Sequence, residues 1–328
     1  MKKKKVVVLG GGTGMSCLLR GLKLFPFDIT AIVAVSDDGS STGRLRQEFN
    51  MPAMGDIRNV LVALSETEPL IEKLLQYRFT TTSDLNGHSV GNLLLTAMKE
   101  INGNLSDGIE ALGQILNLKG KVLPLTEDNV TLVAKMSDGS VVYGEENITK
   151  AFKTIEEIRY KEDAVVSREA LKAIREADAI VFSMGSLYTS IVPNILFDEM
   201  REAILKSHAA KIYVANIMTQ HGETDQFKVS DFIEVLNKFM GQPFLDVVIA
   251  NNKKIPMNIE KRYLEKEKSA PVVVDRDKVT ELGVKIISDN LLDIKTEPAK
   301  FEPSRIEKMI RHDEIKTAYH IFSYMLRR

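Results

Sequence analysis

One cysteine and no tryptophan stand among 328 residues. A single thiol cannot build a disulfide framework, so the fold must rest on its apolar core, and the natural home is a reducing cytoplasm. That thiol, Cys17, follows a glycine-rich turn on a helix-like segment, where a lone cysteine acts as buried packing. Long apolar runs are missing as well, and none approaches the length of a membrane span. The opening "MKKKK" leads into a strand-length apolar stretch with no small-residue cleavage site, unlike a secretory signal. Charge of one sign is not in excess: 44 Lys and Arg against 45 Asp and Glu leave −1, which gives no footing for nucleic acid as a partner. Metal signatures are absent too. The histidines at 88, 208, 221, 312 and 320 lack H-x-x-x-H spacing, no cysteines pair, and no G-x-S-x-G elbow follows a strand. What is present is ordinary for a globular protein with a large core, with 44% hydrophobic and 27% charged residues.

Short β-branched runs alternate with helical periodicity along most of the chain. Val6–Leu9, Ile29–Val35, Ala179–Ser183, Lys211–Asn216 and Val247–Ala250 read as strands. Between them "GHSVGNLLLTAMKEI", "REALKAIREA" and "PNILFDEMREAILK" have helical spacing, the last with proline in its first turn. Near-continuous apolar strands separated by helices imply an α/β fold, a Rossmann-like doubly wound and mostly parallel sheet. The rhythm breaks in "KVLPLTEDNVTLVAKMSDGSVVYGEENI", which alternates around a turn at Asp138-Gly139. Residues 121 to about 165 therefore read as a small β-rich insertion. No linker or repeat divides the chain, so one nucleotide-binding domain over residues 1–328 with this embedded lobe is expected. The tail from Ser304 reads as a terminal helix capped by that serine.

The first strand runs into "GGGTGMS". Glycines there permit positive φ and close backbone approach, and the following helix offers free N–H groups to an anion. Gly10, Gly11, Gly12, Thr13 and Gly14 thus form a candidate phosphate cradle, the alternative being a tight turn with no ligand. Met15 replaces the last glycine of a dinucleotide fingerprint and no P-loop lysine follows, so neither nucleotide motif is matched. The second strand ends in "SDDGSSTGRLRQEF", beside that cradle in a doubly wound sheet. Asp37 and Asp38 are candidates for ribose hydroxyls or a cation, Ser40 for a donor, and Arg44 and Arg46 for charge neutralisation. "MGDIRN" supplies Asp56 and Asn59 at a helix start, and "NGHSVGN" supplies His88 and Asn92 at another. A second strand–glycine–helix junction, "AIVFSMGSLYTSIVPN", brings Gly185, Ser186 and Tyr188. After "KIYVAN", a polar loop brings Asn216, placed to read a base or ribose, and Thr219.

These segments in this order resemble the YvcK-type gluconeogenesis factors, relatives of the CofD-like 2-phospho-L-lactate transferases. The strings "GGGTG", "AVSDDGSSTGRLR", "GDIRN", "GHSVGNL", "GSLYTSIVPN" and "MTQHGETDQF" carry the likeness across residues 6 to about 227. The resemblance implies a Rossmann-like core that binds a nucleoside diphosphate compound. For the YvcK branch it implies a UDP-sugar such as UDP-N-acetylglucosamine and a cytoplasmic role in cell shape and gluconeogenic carbon metabolism. For the transferase branch it implies moving a phospholactyl group from a guanosine diphosphate derivative onto a deazaflavin, with Mg2+. The chain departs from the transferases: "AVSDDGS" stands for their Asn-Thr-Gly-Asp-Asp segment, and "MGDIRN" stands where a Pro-Asp-x-Asp segment is expected. Met184 also replaces a proline usual in the second junction. A binding regulator is expected, with no nucleophile or acid–base pair identifiable; a homo-oligomer and a regulatory protein partner are both open to it.

Overall fold

A computed structural model describes residues 3–66, 69–298 and 306–328. The strands are β1 (Lys4–Gly10), β2 (Phe27–Val33), β3 (Lys121–Pro124), β4 (Leu132–Met136), β5 (Val141–Tyr143), β6 (Ile155–Tyr160), β7 (Ala179–Phe182), β8 (Ala210–Val214), β9 (Val247–Asn251), β10 (Lys285–Asp289), β11 (Leu292–Pro298) and β12 (Ile306–His312). The first six helices are α1 (Gly12–Leu22), α2 (Ser40–Phe49), α3 (Gly55–Leu64), α4 (Pro69–Gln76), α5 (Val90–Asn102) and α6 (Leu105–Ile115). The rest are α7 (Glu145–Lys150), α8 (Arg168–Glu176), α9 (Asp198–Lys206), α10 (Val229–Met240), α11 (Met257–Glu267), α12 (Arg276–Glu281) and α13 (Glu314–Leu326). None is long and apolar enough to cross a membrane.

Seven strands form one wholly parallel sheet in the order β10-β9-β8-β7-β1-β2-β3. Alternation along each strand divides its side chains between two cores. Val6, Val8, Ala31 and Val181 enter the core on one face, while Val7, Leu9, Ile32 and Phe182 enter the core on the other. Both faces are therefore covered, as the unbroken apolar runs require, and the fold is Rossmann-like. The strand order reverses between β1 and β7, and ligands of such sheets bind in the crevice outside the strand ends at that switch.

Three expectations need correcting. Lys121–Pro124 belongs to the main sheet as its edge strand, where proline at the end costs no ladder bond. The lobe is the antiparallel sheet β5-β4-β6 with α7 inside it, and its hairpin turns at Asp138-Gly139 as read, with Gly139 at φ 84. The segment "PNILFDEMREAILK" is not one helix: a π turn at Leu187–Ile191 and a 3-10 turn at Val192–Ile195 precede α9. The Asn194 side chain donates to the carbonyls of Ser190 and Ile191 at 2.8 and 3.3 Å, which withdraws them from a regular ladder. In the tail, Ser304 lies outside the described residues. Ile306–His312 is a strand paired with β11, and α13 begins after Asp313, whose side chain accepts from the Lys316 amide at 2.9 Å. Ile310 pairs with Ile294, so the apolar spacing read as helical serves a hairpin.

Candidate functional site

The cleft opens where β1 and β7 end. Gly11 precedes α1 in extended conformation and supplies no side-chain cap; the Asp56 carboxyl takes the Gly12 amide, and Thr13 and Gly14 line the cleft. Gly12 has φ +65, a left-handed conformation that glycine takes freely, and a Cβ there would meet only Asp56 Oδ1, at an ordinary 3.9 Å. Gly14 is required for a different reason: a Cβ there would come within 1.9 Å of the Met184 carbonyl oxygen. The glycine loop thus packs backbone to backbone on the second junction, whose Gly185 and Ser186 follow β7. Met184 in place of proline leaves that contact intact. Ser186 begins the π turn, accepts from the Thr189 amide at 3.3 Å and donates to Glu223 Oε2 at 2.5 Å.

Asn216 follows β8 at the same place. Its Nδ2 donates to the Gly185 carbonyl at 2.7 Å and its Oδ1 accepts from the Gly185 amide at 3.4 Å. It therefore fixes the Gly185 peptide. Thr219 is buried, with its Oγ1 accepting from the Ala270 amide at 2.9 Å. A cavity of about 500 Å³ extends from Thr13 and Gly14 past Gly185, Asn216 and Thr219 to Tyr263 and Arg311. That volume suits a small-molecule ligand. Cys17 lines it from α1, and burial pushes its thiol up to about 12, so it stays a packing residue.

Three carboxyl groups crowd the other side of the glycine loop. Asp56, in the first turn of α3, accepts from the Gly12 amide, yet burial and then the charge of Asp37 raise its pKa to about 7. Asp37 is also raised, by burial first, although its Oδ1 accepts from the Gly39 amide at 2.9 Å. Glu145, at the start of α7 in the lobe, is raised well above its usual range by burial and then by Asp37 and Asp56. It is hydrogen-bonded to Thr189. The Thr189 hydroxyl donates to Ser186 at 2.8 Å, and Ser186 donates on to Glu223.

The raised Asp56 makes a stability prediction. A folded pKa above the unfolded one favours the native state at low pH, and the advantage is lost as pH rises from about 4 to 7. Asp56→Asn abolishes this loss. The variant should be about 2 kcal/mol more stable than wild type at pH 8, the full shift being halved for partial solvent access, and no more stable at pH 4. Urea unfolding at both pH values measures it, and equal differences at the two would refute it.

Other sequence-derived candidates do not line this cavity. Asp38 Oδ1 accepts from the Glu146 amide at 2.9 Å and so ties α7 to the end of β2. Arg44 donates to the carbonyls of Asp84 and Asn86, holding the loop before α5. Arg46 is spent on the carbonyls of Ser36, Asp37 and Val130 and on Asn129. His88 is buried against Ser41 at 2.9 Å and its pKa is lowered by burial and then by Arg44, which fits an anchor and not an acid. Asn92 and Asn59 both accept from Arg58, in a polar cluster beneath the cleft. Tyr188 is a core residue: it is buried edge-on to Phe239, and burial pushes its hydroxyl up to about 12. Ser40 begins α2, and its side chain lies outside the described residues. Sequence reasoning missed Glu145, Tyr263 and Arg311. Only Glu145 carried a signal, the "YGEEN" helix start after a glycine; the other two reach the cavity from α11 and β12, remote in sequence.

This geometry has solved and curated counterparts. The family model "2-phospho-L-lactate transferase CofD" matches residues 6–292. The chain is 46% identical over 322 residues to the gluconeogenesis factor of Halalkalibacterium halodurans, covering 98% of this chain and 100% of that one. It is 43% identical over 318 residues to the gluconeogenesis factor of Bacillus subtilis, covering 97% and 96%. A crystal structure of a UPF0052-family protein from Bacillus halodurans superposes with a TM-score of 0.90 at 46% identity, over 98% of this chain and 99% of the other. Likeness of this extent, over strands, loops and cleft together, leaves one assignment: the chain belongs to the CofD family.

Proposed function

We propose that the protein binds a nucleoside diphosphate sugar, with UDP-N-acetylglucosamine the expected ligand, and acts as a cytoplasmic regulator of cell shape and of carbon metabolism under gluconeogenic growth. One observation carries the binding half: two glycine-containing strand–helix junctions meet backbone to backbone at the switch point, beside a cavity of about 500 Å³. The diphosphate would lie over Gly12–Gly14 and Gly185, with the rest of the ligand toward Asn216 and Thr219. The names of the relatives support the metabolic half. Calorimetry tests the reading: UDP-N-acetylglucosamine should bind and be recovered unchanged, whereas silence toward every UDP-sugar at millimolar concentration would end it.

The carboxyl cluster favours a second reading, transfer of a phospho-acyl group from a nucleoside diphosphate donor. A carboxyl held near 7, like that of Asp56, suits general acid–base work at neutral pH. The Mg2+ implied by the transferase branch would be held by Asp37 or Asp38, whose carboxylates each accept from one backbone amide and keep lone pairs for a cation. No step is routed through it. In the same experiment, a group transferred from a GDP- or UDP-linked donor to a deazaflavin, seen by mass spectrometry, would favour this reading.

A further inference from the structure

Polar side chains around the cavity are mostly spent on its own wall. Asn216 holds the Gly185 peptide with both atoms of its amide, and Thr219 accepts from the Ala270 amide. Ser269 donates to the Thr219 carbonyl and His312 to the Ala215 carbonyl. Gln220 differs. Its backbone amide donates to Thr224 Oγ1 at 2.9 Å, and its carbonyl accepts from the amides of Glu223 and Thr224. Its Nε2 donates to Glu223 Oε1 at 2.7 Å. Its Oε1 has no partner among the described residues, and the side chain lines the cavity half-buried.

Glu223 decides which way this amide faces. It is 3% exposed, and its other oxygen accepts from the Ser186 hydroxyl at 2.5 Å. A carboxylate accepts and does not donate, so the NH2 of Gln220 faces it and the oxygen is left to the cavity. Such a lock discriminates only against a group that cannot turn its own hydrogen. A sugar hydroxyl would bond to either end of the amide, whereas a ring nitrogen either carries a hydrogen or does not.

We propose that Gln220, oriented by Glu223, reads the base of the bound nucleotide and selects a ring N–H, that of uracil or guanine, against cytosine and adenine. The assignment deepens the nucleotide reading above and rests on it. With the diphosphate over Gly12–Gly14 and Gly185, the imide N–H of uracil or guanine meets Gln220 Oε1. Cytosine and adenine carry a lone pair at the same ring position, so two acceptors would face each other with no hydrogen between them. Glu223 is a positioning residue: one oxygen sets the base reader and the other sets the second phosphate junction through Ser186.

Calorimetric titration of the full chain with UDP and CDP tests this, because the two differ only at the pyrimidine edge. UDP should bind about tenfold tighter or more. Gln220→Leu removes the acceptor at a half-buried position, so circular dichroism should be unaltered while UDP weakens about tenfold and CDP does not. In Glu223→Gln the new side chain can donate to Gln220 Oε1, which lets that amide turn over. CDP should then gain and UDP lose, a reversal of preference that a merely structural role would not produce. Equal affinities in the wild type would overturn the proposal, as would an unchanged UDP-to-CDP ratio in either folded variant. If neither nucleotide binds at millimolar concentration, the ligand reading falls and this assignment with it.

Discussion

Gly14→Ala loses nucleotide binding by about a hundredfold or more, whatever the base, and this is the largest effect expected in the cleft. The added methyl would meet the Met184 carbonyl oxygen at 1.9 Å and its carbon at 2.6 Å. Backbone in the middle of a packed junction cannot give by more than 1 Å without moving β7 or α1, so the two halves of the cradle separate. Overpacking of this kind costs about 1–3 kcal/mol of stability, and a displacement of that size is enough to spoil a phosphate site. Gly12 provides the contrast. Its Cβ would have room, and only its φ of +65 resists substitution. Gly12→Ala should cost about 1–2 kcal/mol and leave the junction closed. A β-branched residue such as valine adds steric bulk on the ligand side and should weaken all nucleoside diphosphates together. Titration of UDP, GDP and UDP-N-acetylglucosamine against folded variants, with thermal melts, measures both. If Gly14→Ala binds like wild type, the loop is only a turn.

The second large effect is an acid-side loss of stability through His312. Its Nε2 donates to the Ala215 carbonyl at 3.0 Å, one residue before Asn216, and the Cys17 thiol donates to the His312 carbonyl at 3.4 Å. The imidazole stitches β12 to the cleft. Burial lowers its pKa to about 4, so it stays neutral in the fold. The unfolded chain takes up this proton near 6.5 and the native state does not. Stability is therefore full above that pH and falls between 6.5 and 4, by about 3 kcal/mol over the window. His312→Gln keeps a donor for Ala215 and has nothing to titrate. The difference between wild-type and variant unfolding free energies should change by about that amount between pH 7 and pH 4. Parallel curves would show that His312 contributes none of the acid sensitivity.

Local physics was legible in the sequence and distant proximity was not. The β1–α1 loop, the helix start at Asp56 and the helix entrance in "NGHSVGN" each follow from a few neighbouring residues, and each stands where it was read. The roles of polar side chains were harder. Arg44, Arg46 and His88 sit in segments that looked ready for phosphate, and each is bonded within the fold to backbone carbonyls or a hydroxyl. Tyr188 lies in a hydroxyl-rich turn, but the irregular turn points its ring into the core. The tail failed for a different reason. "IEKMIRH" satisfies either periodicity, and only its partner β11 decides for a strand. Tyr263 and Arg311 could not be foreseen, because nothing local joins α11 and β12 to Gly14.

The order of the strands also sets when the cleft can exist. Both walls belong to neighbouring strands, β1 and β7, yet Lys5 and Asp178, which bond across that boundary, are separated by 173 residues. On a ribosome the glycine loop emerges well over a hundred residues before its other wall. Until then β1 can pair with β2, but its opposite edge is left without a neighbour. Such an edge is open to pairing with another nascent chain, and closing so long a loop slows folding. The nascent protein should therefore lean on chaperones until residue 182 has cleared the exit tunnel, and cleft mutations that weaken the β1–β7 seam should reduce yield in the cell before they reduce the stability of the purified protein.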